Sequence, residues 1–227
     1  MSTTKPLFIG YHTPHPEYRE LATGMRASVE QFDLECEIVE LPNHVVPEMH
    51  SMATWVSNCA MCGPFVQWMQ TIHPDRDLVY LDVDAILRKR PSLYLDEPRD
   101  YDFAVTFLNN QWSTNELQSN SMFFKAINDS SESRLLVNRW CYEQAIRLTN
   151  MRAGLYTHPF RRAWDQVVLQ DVLVNMPHLR IKTLPPSYSK IMPTSAGVEI
   201  MPDVATADAV VTQSQASRIM KEKVAAL

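Results

Sequence analysis

The chain has 227 residues, enough for one domain with a sizeable core, since a domain of that size buries roughly 70% of the surface its unfolded chain exposes. Hydrophobic residues make up 45% and charged residues 21%, values that exclude a disordered chain and a coiled coil. Lys and Arg total 21 against 26 Asp and Glu, giving a net charge of −5, so a protein held to nucleic acid mainly through phosphates is not expected.

In chain order, Leu7–Tyr11 is a short apolar run that reads as a buried strand, followed by a rigid loop through Pro14 and Pro16. From Tyr18 to Gln31 the residues Leu21, Met25 and Val29 repeat every four positions, the apolar face of a helix. Cys36–Leu41 alternates like a strand. A helix is expected over Met52–Gln70, broken at Gly63–Pro64. Leu78–Leu81, Phe103–Thr106, Met122–Phe124, Ile181–Leu184 and Ala209–Thr212 read as further strands, and Ser133–Leu148 and Trp164–Asn175 as helices. Strands alternate with helices, first β-α-β-α-β and then in a more mixed half. That order predicts an α/β domain spanning residues 1–227, with a mostly parallel central sheet, helices on both faces, and a ligand site beyond the carboxyl ends of the strands.

The five glycines, Gly10, Gly24, Gly63, Gly154 and Gly197, are too far apart for a G-x-G turn or a phosphate-cradling loop. A bound nucleotide would therefore have its phosphates held by a metal or by side chains. Met1–Pro6 carries no apolar signal core and no membrane-length apolar run occurs, so a cytoplasmic protein without a membrane span is expected. Cys59 and Cys62 have C-x-x-C spacing with no second pair to complete a zinc site, and read as half-buried thiols on a helix.

The sharpest feature is Leu78-Val79-Tyr80-Leu81-Asp82-Val83-Asp84, an apolar strand that runs into two carboxylates separated by one residue. On a strand such side chains share one face, and at a strand end both can lean into one crevice. Paired carboxylates there suit Mg²⁺ or Mn²⁺, hard cations that keep coordination sites open for substrate phosphates. The plainer alternative has one Asp capping the following turn and the other solvated.

The arrangement resembles a GT-A-fold nucleotide-diphospho-sugar glycosyltransferase with its D-x-D signature. Phe8–Tyr18 is similar to the first strand and nucleotide loop of that family, and Trp55–Pro91 to its helix, D-x-D and following turn. Asn120–Phe124 is similar to the segment lining the sugar pocket, and Asp165-Gln166 to a D-Q pair at a helix start. Val210–Arg218 resembles a C-terminal strand and loop that ordinarily carries a metal-binding histidine. The resemblance implies that Tyr11 and Thr13 line the nucleoside site, that Asp82 holds the ribose of the donor or a metal-bound water, and that Asp84 binds the metal directly. It places Asn120, Ser121 and Gln166 near the donor sugar, and Asp165 at the sugar hydroxyls or the reacting carbon as a catalytic group. Arg218 would clamp phosphate, as would Arg152, Arg161 or Arg162. Gln213 stands where the family has histidine, and as a metal ligand its amide oxygen would be weaker than imidazole.

The implied activity is metal-dependent transfer of a hexose or pentose from a nucleotide-diphosphate donor, with a UDP-sugar expected, to an acceptor hydroxyl. The resemblance leans towards retention of configuration. A cation on the diphosphate would stabilise the charge left on the departing phosphate. The acceptor stays open among a glycan, a small molecule, a protein and a modified DNA base, in a phage or bacterial setting. Trp112, alone in the polar stretch Asn109–Asn115, is the candidate stacking surface for it. Two other readings compete. One is a haloacid-dehalogenase-type phosphatase, which also places D-x-D after an apolar strand but at the start of its chain. The other is a catalytically degenerate nucleotide-sugar-binding protein, suggested by the Gln213 replacement.

Overall fold

A computed structural model describes residues 4–42, 52–108, 115–156, 162–193, 201 and 203–214, with backbone alone for residues 52–55. Nine strands lie among the described residues: β1 Leu7–His12, β2 Cys36–Glu40, β3 Leu78–Leu81, β4 Ala85–Leu87, β5 Phe103–Leu108, β6 Glu116–Phe124, β7 Ile181–Leu184, β8 Lys190–Ile191 and β9 Val211–Gln213. The helices are α1 Pro16–Glu30, α2 Met52–Cys59, α3 Cys62–Ile72, α4 Ser92–Leu95, α5 Ser131–Arg152 and α6 Asp165–Val174.

Six strands form the main sheet in the order β2-β1-β3-β6-β5-β7. Pairs β1–β2, β1–β3 and β5–β7 are parallel, and β6 runs antiparallel to both of its neighbours. The expected α/β architecture with a mostly parallel sheet is therefore present. β1 and β3 read as continuous apolar runs because both of their faces are covered. One face packs Ile9, Tyr80 and Met122 beneath α3, α5 and α6. The other packs Phe8, Val79, Leu81 and Phe123 beneath α1 and α4. Each such fully buried side chain contributes about 1.5–3 kcal/mol of transfer free energy before the entropy of ordering it is counted.

A second sheet, β4-β9-β8, lies on the α1 side. β4 begins directly after the Asp82–Asp84 turn and pairs antiparallel with β9, Ala85 opposite Gln213. The Leu87 amide donates to Ser28 Oγ of α1 at 3.0 Å, which ties this sheet to the helix. The antiparallel ladder thus brings residues 85–87 and 211–213 together at the end of β3.

The helix break differs from the expectation. It falls at Ala60–Met61, and Gly63 and Pro64 lie inside the first turn of α3. A first-turn residue has no acceptor for its amide within the helix, so proline costs little there. β6 is also longer than the expected Met122–Phe124. Its pairing with β5 jumps from Val105–Met122 to Thr106–Gln118, leaving Ser119, Asn120 and Ser121 bulged out on β6. Bulges re-aim side chains and cluster beside active sites.

Candidate active site

The carboxyl ends of β1 and β3 and the bulge of β6 meet at one end of the main sheet. Gly10 lets β1 approach closely there: a Cβ on it would stand 2.9 Å from the Leu81 carbonyl oxygen. Leu81 is the last residue of β3, and Asp82 follows with its amide donating to the Asn120 carbonyl at 3.1 Å. A tight turn closed by Ala85 N to Asp82 O, 2.8 Å, carries the chain into β4.

Asp82 is half-buried and each of its oxygens accepts one hydrogen bond. Tyr80 Oη donates to Oδ1 at 2.9 Å and Gln213 Nε2 donates to Oδ2 at 2.6 Å. Asp84 is 7% exposed, and Ser214 Oγ donates to its Oδ2 at 3.4 Å. Burial pushes the Asp82 carboxyl well above the ordinary aspartate range, and the charges of Asp84 and then Asp165 push it further, while the Tyr80 and Gln213 hydrogen bonds oppose the rise. Among the described residues no lysine or arginine pairs with Asp82.

Asp165 opens α6 and faces the same crevice. Burial raises its carboxyl to about 6, against hydrogen bonds from Ser119 of the β6 bulge and from the amides of Gln166 and Asp165 itself. Trp140 Nε1 donates to the Asp165 carbonyl at 3.1 Å and fixes the start of the helix. Gln166 donates to Glu116 Oε1 at 2.7 Å, so its amide serves the junction of α6 and β6.

Tyr11, at the end of β1, is half-buried, and its hydroxyl donates to the Asn58 carbonyl at 2.8 Å. Burial raises its phenol, as do the nearby Cys62, Cys59, Asp165 and Asp82. Thr13 follows in the adjoining loop, with His12 Nδ1 2.7 Å from its carbonyl oxygen. His15 caps α1, its Nδ1 accepting from the Glu17 amide at 3.3 Å.

The structure brings together Tyr11, Asp82, Asp84, Asn120, Asp165 and Gln213 from opposite ends of the chain. Ser121 goes elsewhere. It is fully buried with its hydroxyl 3.2 Å from Tyr94 Oη, on the far face of the sheet, so the expectation that its side chain reaches a donor sugar is corrected. The bulge turns both Ser119 and Asn120 to the crevice, whereas Ser121 is back in register opposite Leu81 of β3. Trp112, Arg161 and Arg218 lie outside the described residues, and Arg152 and Arg162 are exposed.

Four residues at the site were not expected from sequence. Tyr18, in the first turn of α1, has its phenol raised by burial and then by Asp84, Cys59 and Asp82. Tyr80 holds Asp82, Ser119 holds Asp165, and Ser189 holds Asn120. Tyr80 had a readable signal, since residues i and i+2 of a strand share a face. The others come from distant segments.

The donor set fits a divalent cation. Two recessed carboxylates offer oxygen ligands, and their mutual repulsion is what a cation would relieve. Among the described residues no three His, Cys, Asp or Glu side chains are grouped to hold a metal. A cation here would therefore rest on Asp82 and Asp84 with its other positions open, as suits Mg²⁺ or Mn²⁺ bound together with a phosphate-bearing substrate. Also among the described residues, no helix is long and apolar enough to cross a membrane.

No protein-family model matches the sequence, and no curated protein matches it. Solved structures do resemble it. A glycosyltransferase involved in the glycosylation of the major capsid of PBCV-1 aligns over 98% of this chain and 100% of its own, at 14% identity and TM-score 0.59. Mouse xyloside xylosyltransferase 1 aligns over 94% of this chain and 99% of its own, at 11% identity and TM-score 0.53. The glycosyltransferase GlyE of Streptococcus pneumoniae TIGR4 aligns over 93% of this chain and 56% of its own, at 10% identity and TM-score 0.57. At these identities the likeness is one of fold, and the fold of this chain is that of the GT-A-type glycosyltransferases.

Proposed function

We propose that residues 1–227 form one transferase domain that moves a sugar from a nucleotide-diphosphate donor, a UDP-sugar, to an acceptor hydroxyl with the help of Mn²⁺ or Mg²⁺. The observation that carries this reading is the meeting of Asp82, Asp84 and Asp165 at the strand ends of a glycosyltransferase fold.

Asp82 and Asp84 would hold the cation, which supplies positive charge to the diphosphate as the sugar leaves. Tyr11 and Thr13 border the place for the nucleoside, beside the end of β1. The Asp165 carboxylate, fixed by Ser119 and by the amide groups at the start of α6, would accept hydrogen bonds from sugar hydroxyls and orient the ring. Recessed carboxylates on short, packed elements need little reorganisation when the donor arrives, and preorganised charge of that kind is the main source of rate in such sites. No feature of the site favours the phosphatase reading.

A thermal-shift screen of sugar nucleotides with Mn²⁺ tests the proposal. One donor should stabilise the protein above its relatives, as a ligand that binds only the folded state must. Asp84→Ala should then lose the cation-dependent stabilisation and lower donor hydrolysis by at least about 100-fold, as expected when the group that neutralises a leaving diphosphate is removed. Full hydrolysis in Asp84→Ala, with EDTA also harmless, would refute it. Donor binding without turnover would replace it with the sugar-nucleotide-binding reading.

A further inference from the structure

Asp82 ends a chain of hydrogen bonds that begins in the core. Ser189 Oγ, fully buried, donates to Asn120 Oδ1 at 2.5 Å. Asn120 Nδ2 donates to Gln213 Oε1 at 2.7 Å, and Gln213 Nε2 donates to Asp82 Oδ2 at 2.6 Å. The three bonds run in one direction. Gln213 turns its NH₂ towards Asp82 Oδ2, which accepts. Its oxygen then faces Asn120, which must answer with NH₂, leaving the Asn120 oxygen for the Ser189 hydroxyl. Turning Gln213 over would set oxygen against oxygen at Asp82 and NH₂ against NH₂ at Asn120, and turning Asn120 over would set its oxygen against that of Gln213, beside a Ser189 and an Asn120 that are both buried.

We propose that Gln213 is a positioning residue for Asp82 and not a metal ligand: the Ser189–Asn120–Gln213 chain fixes the rotation of the Asp82 carboxylate. Tyr80 holds the other oxygen from beneath. The carboxylate is thereby clamped on both sides, with one lone pair of each oxygen engaged. The inference rests on the transferase reading for its kinetic consequence only, since the clamp is a property of the folded chain. It also gives the residue standing at the family's histidine position a different task from coordination: the Gln213 oxygen is directed at Asn120, and the group it turns to the carboxylate is a donor.

The test compares Gln213→Met and Asn120→Leu, which keep volume and remove the hydrogen bonds, with the double variant, using the full-length chain. The donor is the sugar nucleotide that most stabilises the wild type. Each single variant should lose about 10–100-fold in kcat, the range for removing a group that orients a metal-site ligand, with donor KM moved less than about threefold. The double variant should be no worse than the poorer single, because one chain is cut in two places. Titration with Mn²⁺ alone should give Gln213→Met and Asn120→Leu affinities within about threefold of each other, since both release the same carboxylate. The side-chain NH₂ protons of Gln213 should exchange slowly in wild-type NMR spectra and lose that protection in Asn120→Leu. A tenfold or greater loss of Mn²⁺ affinity confined to Gln213→Met would make it a direct ligand and overturn the proposal. So would additive kinetic losses, or solvent-rate exchange of the wild-type amide. If the wild type turns over no sugar nucleotide, the transferase reading falls, and the amide protection with its loss in Asn120→Leu still decides the clamp.

Discussion

Gly10→Ala probes how the sheet builds the site. The added methyl would lie 2.9 Å from the Leu81 carbonyl oxygen and 3.0 Å from Met25 Cε. Met25 is a flexible side chain that can yield, whereas the Leu81 oxygen belongs to backbone paired within the sheet. Two effects oppose each other. Replacing glycine reduces the entropy of the unfolded chain and would stabilise by about 0.4–1 kcal/mol if the methyl fitted. Overpacking a closed core costs about 1–3 kcal/mol, and here it must move a strand. The clash should win by about 1–2 kcal/mol, which for a domain of this size lowers Tm by roughly 2–8 °C. The displaced residue is Leu81, immediately before Asp82, so cation-dependent donor hydrolysis should fall by more than the fraction unfolded accounts for. Differential scanning calorimetry paired with hydrolysis at a temperature well below the transition separates the two losses. A Tm unchanged or raised, with full activity, would show that β1 and β3 are not in close contact at Gly10.

Asp165→Asn should remove donor hydrolysis while raising stability at neutral pH. Burial lifts the Asp165 carboxyl to about 6, above its unfolded value, so its ionised form destabilises the fold increasingly as pH rises from about 4 to 6. Melting temperatures of variant and wild type should converge near pH 4 and separate by pH 7.5, and a variant less stable at pH 7.5 would refute this. In the wild type, kcat/KM should fall as pH drops through about 6, where Asp165 takes up its proton. Asp102, buried at the start of β5, supports the far end of the sheet. Burial alone would raise its carboxyl, but the Arg180 guanidinium, the Arg180 amide and Ser130 together hold it below the ordinary value. Because its folded value is depressed, the stabilisation is fully present above the unfolded value near ~3.9 and is lost as pH falls through the folded one. Asp102→Asn should cost about 1–3 kcal/mol at pH 7 in urea denaturation, shrinking below about pH 4. An equal cost at both pH values would mean the charge is not the cause.

The sheet and the acidic turn were legible because their signals are local. Leu78–Leu81 is apolar without interruption and Asp82 and Asp84 follow at once, so the strand, its end and its chemistry stand in one stretch. The first six residues of β6 resisted reading for the opposite reason. Gln118, Ser119, Asn120 and Ser121 are buried and polar, and they are strand residues only because β3 and the site satisfy them. β4 and β8 are too short to show a period, and exist through their pairing with β9. Pro64 looked like a breaker and sits harmlessly in a first turn. Gln213 was visible as a residue standing where another is usual, but its partner lies 131 positions away, and no spacing rule reaches that far.

That separation has a consequence for how the protein is made. The large sheet can close once β7 has emerged from the ribosome, while β9 comes still later. Until residues 211–213 pair with β4, Asp82 lacks its donor and the Ala85–Leu87 segment lacks a neighbour. Bridging so long a stretch of sequence is entropically costly and slow, so it belongs late in the order of events. A nascent chain halted before β9 would hold a nearly finished main sheet while the corner around Asp82 still lacked its last partner.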